Sequence, residues 1–181
     1  MEFSETVTTG AGMFALWSPA AFRGVVDYAT WTGELLEDED ITRHIRSGTI
    51  VPINIHSDGR FQFLVRLGFD FRLAGLTARE RQFLVAVSDP YLFVATDGAI
   101  LSGIEHAGAI PGTPAGTRFH LPVPPGRWQV TVTIVDWTAE SGMCDARGDP
   151  LPGALPDFTI LVNPEKHPVP YRTRVETFDR R

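Results

Sequence analysis

Three pairs of apolar-rich runs, each pair joined by a short turn containing glycine, constrain this chain more than any other feature. Residues 50–56 lead through Ser57-Asp58-Gly59-Arg60 to 61–67. Residues 91–95 lead through Asp97-Gly98 to 99–104, and 117–123 lead through Pro124-Pro125-Gly126 to 127–137. Within these runs Phe61, Phe63, Val65 and Leu67 share one face, opposite Gln62 and Arg66. Likewise Trp128, Val130, Val132 and Ile134 stand opposite Gln129, Thr131 and Thr133. A period of two with one wet side is the mark of a half-buried strand. Asp-Gly between such runs predicts a type I′ hairpin, whose two central residues both need positive φ. Pro52 lacks an amide donor and places its strand at an edge or near a strand start. With residues 13–17 and 158–162 the count reaches seven or eight strands. The expected fold is all-β: a two-layer antiparallel β-sandwich with one or two short helices and an extended C-terminal tail.

The helical signals are brief. Thr77-Ala78-Arg79-Glu80 reads as a capping box and predicts one or two turns reaching Leu84. Residues 38–46 carry acids first and cations last, pair Ile41 with Ile45, and stop near Gly48, which matches the helix dipole and its usual terminator. Ser18-Pro19 is placed to start a single turn. Residues 108–116 and 138–157 are rich in Gly and Pro and read as loops, the second long enough to be a contact surface. Residues 1–163 are expected to form one domain. Residues 164–181, with Pro168 and Pro170, are expected to form a tail that runs along the body or frays.

Charge narrows the partners. The 181 residues carry 16 cations against 22 acids, a net charge of −6, and Lys166 is the only lysine. Most of the excess lies early. Up to residue 47, Arg23, Arg43 and Arg46 face Glu2, Glu5, Asp27, Glu34, Glu37, Asp38, Glu39 and Asp40. The tail leans the other way, with Lys166, Arg172, Arg174, Arg180 and Arg181. Duplex nucleic acid disfavours an acidic body because its affinity comes from cations that release counterions. A basic protein partner is favoured instead. There is no apolar run of membrane-spanning length, and acid stands where a signal peptide would carry Lys or Arg, so a cytoplasmic protein with no membrane partner is expected. The sequence sets no oligomeric state.

Motifs for chemistry are sparse. Cys144 alone cannot form an internal disulfide or a cysteine zinc site, and it reads as a loop thiol. His44, His56, His106, His120 and His167 are each more than four residues from the next, so no metal and no cofactor is expected. Glu105-His106 is the most suggestive acid–base pair, although adjacent strand residues point to opposite faces. Asp136 would fall on the core face of its strand unless the strand ends there, which is the expected outcome, with Trp137 closing the end. An enzyme would have to use Glu105, His106 or Asp136. A small-ligand or carbohydrate site would use Trp31 or Trp137, the latter beside the 138–157 loop, whereas aromatic residues in such folds mostly pack the core. The run Glu37-Asp38-Glu39-Asp40 lacks the spaced ligands and glycine of a calcium loop. It reads as a helix start, and these four residues are the candidates for binding a basic partner.

The order of these features resembles a group of small acidic bacterial proteins. An early Trp31, the acidic stretch, Ser57-Asp58-Gly59, and the late Pro125-Gly126-Arg127-Trp128 are similar in layout to competence-associated inhibitors of DNA-entry nucleases and to β-sandwich immunity-type proteins. The resemblance spans roughly residues 13–137 and lies in layout rather than in a signature motif. It implies a non-catalytic protein that binds and blocks a partner, and it assigns no individual residue. Together with the acidic N-terminal quarter and the absence of catalytic motifs, it leads to the expectation of an inhibitor or immunity protein for a basic nuclease or toxin.

Overall fold

The apolar-rich runs form strands, but none pairs with the neighbour that its turn predicts. The computed structural model describes residues 1–178. In chain order it contains β1 (Glu2–Thr9), β2 (Met13–Trp17), α1 (Tyr28–Leu35), α2 (Asp38–Ser47), β3 (Ile50–Asn54), β4 (Gly59–Leu67), α3 (Ala78–Gln82) and β5 (Leu84–Val87). Then follow β6 (Tyr91–Ala95), β7 (Ala99–Gly103), β8 (Arg118–Leu121), β9 (Gly126–Val135) and β10 (Phe158–Pro164). One sheet is ordered β1-β4-β10-β9, with β5 and β6 both on the far edge of β9; the other is ordered β3-β2-β7-β8.

The three expected hairpins are therefore corrected. β3 and β4, β6 and β7, and β8 and β9 each straddle the two sheets. The backbone gives the reason. Gly59, Gly98 and Gly126 have positive φ, but Asp58, Asp97 and Pro125 do not, so the paired positive φ of a type I′ turn is missing. Each turn is a corner that passes the chain from one sheet to the other. The purely antiparallel expectation is corrected as well, because β10 pairs with β4 in parallel, Phe158 opposite Phe63.

Two strands exceed the expected number. β1 pairs along its whole length with β4; Glu5, in register with Phe3 and Val7, interrupts its apolar alternation. β5 begins at Leu84, where the helix after Thr77 was expected to end. Helix α1 is also additional. Its capping box joins Asp27 to Thr30 rather than to Glu or Gln, so the usual signature does not reveal it.

Side chains from both sheets meet in one core. Phe14 of β2 packs edge-on against Phe63 of β4 at 4.9 Å, and Phe63 stacks on Phe158 of β10 at 4.8 Å. Trp128, Val130, Val132 and Ile134 are buried together on one face of β9, as their spacing predicts. The opposite face is not wet throughout. Thr133 is fully buried and donates to Thr159 O at 3.0 Å, because α3 lies over this part of the sheet.

Glu80 of α3 is the buried charge beneath that helix. Its carboxylate accepts from the Thr77 amide at 2.6 Å, the Thr77 hydroxyl at 2.8 Å, Arg66 Nη1 at 2.6 Å and the Thr159 hydroxyl at 3.2 Å. Burial opposes the charged form, yet Arg66 and the Thr77 donors outweigh it and hold the Glu80 carboxyl below its ordinary value. Arg66 in turn donates to Glu2 at 2.7 Å.

After β10 the chain stays attached to the body. Glu165 accepts from Arg127 and from the Tyr171 hydroxyl, and burial together with that bond pushes the Tyr171 phenol up to about 12. The Arg172 amide donates to Pro90 O at 2.8 Å, and its guanidinium lies 5.5 Å from the Tyr91 ring and 5.8 Å from the Phe178 ring. The Phe178 amide donates to Asn54 O, and its ring is buried. Residues 179–181, with Arg180 and Arg181, lie outside the described residues. No helix among the described residues is long and apolar enough to cross a membrane.

Candidate partner-binding lobe

Helices α1 and α2 form a lobe whose inner side is built from a few buried anchors. Leu35 closes α1, while Ile41 and Ile45 hold α2 against the core. The end of α2 is fixed by Gly48 at φ 74°, whose amide donates to Ile45 O while the following amide donates to His44 O. Gly48 O accepts from the Val94 amide at 2.7 Å, which ties the helix end to β6.

The acid run divides in two on the outside of this lobe. Arg43 Nη1 donates to Asp40 at 3.0 Å, and Arg43 Nη2 donates to Glu34 at 3.2 Å. His44 Nε2 lies 2.8 Å from the same Glu34 carboxylate, and this bond, followed by Arg43, draws the Glu34 carboxyl below its usual range. Glu34 and Asp40 are thus neutralised locally. Glu37, Asp38 and Glu39 are exposed, and none has an ion-pair partner among the described residues. Glu37 sits at the start of α2 with extended backbone and caps no amide with its side chain. The helix dipole stabilises the three charges from behind without covering them. Apolar surface lies on the same lobe: Leu36 is 48% exposed and Tyr28 is 75% exposed. Charged groups beside exposed apolar side chains suit protein recognition, where carboxylates steer the approach and apolar contacts retain the partner.

The remaining candidates stand elsewhere. Trp31 of α1 is half-buried; its indole N–H donates to Ile104 O at 2.9 Å and its ring stacks on Tyr28. Trp137 follows β9, donates to Asp157 Oδ1 at 3.0 Å, and borders a cleft of about 410 Å³ with Val85, Asp136 and Asp157. Asp136 is exposed where β9 ends at Val135, and it accepts from the Thr138 amide and hydroxyl. Glu105 accepts from the Gly10 amide at 2.7 Å and the Thr9 hydroxyl at 3.0 Å, which fixes the β1–β2 turn. His106 Nε2 stands 3.8 Å from Glu105, too long for a hydrogen bond. No group of three metal-binding side chains gathers among the described residues. Sequence reasoning marked the acids but missed Tyr28, Leu36 and the Arg43 and His44 contacts. The i,i+3 spacing of Asp40 and Arg43 was the available signal for one of these.

Comparison with known proteins extends the fold rather than the chemistry. Neither a protein-family model nor a curated protein matches the sequence. Among solved structures, crocagin biosynthetic gene J is similar over 92% of this chain and 99% of that one, with a TM-score of 0.57 and 18% identity. At that identity the likeness is one of fold. ComJ from Bacillus subtilis, an inhibitor of the DNA degrading activity of NucA, aligns over 90% of this chain and 95% of that one, at a TM-score of 0.49 and 12% identity.

Proposed function

We propose that this protein is a non-enzymatic, acidic β-sandwich whose two sheets form its layers and whose α1–α2 lobe binds a basic protein. An inhibitor or immunity role against a basic nuclease or toxin is the specific form of this reading. The observation that carries it is the trio Glu37, Asp38 and Glu39, exposed and uncompensated beside Tyr28 and Leu36. Asp40 belongs to the run in sequence, but its pairing with Arg43 makes it a support for the lobe rather than a primary contact. The test has two stages. A basic partner is first captured from host extract and purified. Its association with the wild type and with the Glu37→Lys, Asp38→Lys, Glu39→Lys triple variant is then followed at several ionic strengths. The variant is expected to associate more slowly by about tenfold or more at low salt, with a flattened salt dependence. Unchanged association kinetics would remove this lobe from the interface.

A second reading rests on Trp137. Its cleft joins an indole to Asp136 and Asp157, a combination of flat apolar and acceptor groups that suits a carbohydrate or another small polar ligand. Titration of a sugar panel against Trp137→Ala and wild type, with heteronuclear NMR readout, decides it. Shifts around 134–138 and 157 that vanish in the variant support the reading, and their absence for every sugar dismisses it.

A further inference from the structure

The geometry points to a second binding site, in the cleft beside residues 68–77, for a peptide segment of a partner that sets an internal acidic residue next to a hydrophobic one. It stands apart from the acidic lobe and does not depend on it. The cleft has a volume of about 510 Å³ and is walled by Leu67, Phe69, Phe71, Leu73 and Leu76, with Arg72 among them. Phe71 is 89% exposed and Leu73 is 53% exposed, so its apolar wall is open to solvent.

This wall is held in place rather than left loose. Phe69 and Arg72 exchange backbone hydrogen bonds at 2.9 and 3.0 Å, which makes a tight reversal with Asp70 and Phe71 at its tip. The Phe69 and Phe71 rings stack at 5.8 Å. Asn163 grips Ala74 from both sides, accepting from its amide at 2.6 Å and donating to its carbonyl at 3.1 Å. Arg66, nine-tenths buried and oriented by Glu80, donates to Gly75 O at 3.3 Å. A preorganised apolar wall lowers the ordering cost of binding.

Charge selects the occupant. Of the charged groups lining the cleft, Glu2 pairs with Arg66 and the Met1 ammonium donates to Leu67 O at 2.9 Å, whereas Arg72 is exposed and has no carboxylate partner among the described residues. A planar guanidinium lining the same cleft as two phenyl rings suits a carboxylate that follows or precedes an apolar side chain.

The experiment titrates the isotope-labelled protein with acetyl-Gly-Glu-Phe-Gly-amide and with its Gln analogue, following amide shifts. Saturable shifts centred on 66–77 are expected, with the Gln peptide about threefold weaker, the discrimination that an exposed arginine–carboxylate pair supports. Arg72→Gln should erase that difference, and Phe71→Ser should weaken both peptides; both changes are at exposed positions and leave the core intact. The lysine triple variant at 37–39 should bind the Glu peptide as wild type does, which keeps this site separable from the lobe. Shifts centred elsewhere, no saturation, or equal affinity for the two peptides would overturn the proposal. So would tighter binding of acetyl-Gly-Gln-Phe with a free C-terminus, or a concentration-dependent dimer that occupies this cleft.

Discussion

Glu80 shows how much one side chain can carry. It closes a capping box, pairs with Arg66 and bonds Thr159 beneath α3, all while buried. Glu80→Gln leaves a buried guanidinium with only Glu2 as its ionic partner, and should cost about 3 kcal/mol in chemical denaturation. Because the folded carboxyl is held below its ordinary value, its contribution is complete at neutral pH. That contribution fades as pH falls through the carboxylate range, so the stability gap between wild type and Glu80→Gln should narrow in acid. A gap that stays constant with pH would deny Glu80 this role. Gly48 offers a second test. At φ 74° an alanine is strained by about 1–2 kcal/mol, and its methyl would stand 2.9 Å from Val94 Cγ2. Gly48→Ala should therefore lower the denaturation midpoint without changing its slope.

Among the elements, β1 is an edge strand with its own guard. The Met1 ammonium donates to Leu67 O and Met1 O accepts from the Leu67 amide, so in this register the Thr6 amide points away from β4. Glu5 occupies that outward amide at 3.0 Å and places a charge on the register of Phe3 and Val7. Such charges discourage edge-to-edge pairing. Glu5→Val should raise the average mass in sedimentation at a given protein concentration, and an unchanged mass would show that the edge is protected by other means. The same strand marks what sequence can convey. The burial of Trp128, Val130, Val132 and Ile134, the Thr77–Glu80 box and the Gly48 stop are local facts, written in spacing and residue type. Pairing is not local: a corner and a hairpin share the same flanking alternation and the same glycine, and differ in the φ of the residue before it. For the candidate lobe, the acids were legible as a run. The pairing of Asp40 with Arg43 follows an i,i+3 spacing within α2, whereas the meeting of Arg43 with Glu34 joins two helices, which no spacing within one helix announces.

For the molecule as a whole, the segment after β10 acts as a strap. It touches β9 through Glu165, β6 through Arg172 and β3 through Phe178, and so reaches strands of both sheets. Phe178→Ala should cost about 3 kcal/mol, the usual scale for removing a buried phenyl ring. Native-state hydrogen exchange should show the loss at the Asn54 and Phe178 amides first. If exchange quickens no more there than elsewhere, the strap does not act as a separate unit.

The place of β10 in its sheet has a consequence for how the chain comes to be folded. β10 follows every other strand of the described residues, yet it lies between β4 and β9, so the β1–β4 ribbon and the β9 ribbon have no hydrogen-bonded bridge until it arrives. A ribosome that has released everything up to residue 157 presents two unjoined halves with raw inner margins. Joining the two ribbons then depends on pairings distant in sequence, which form slowly, and until they form the unpaired strand edges are open to aggregation.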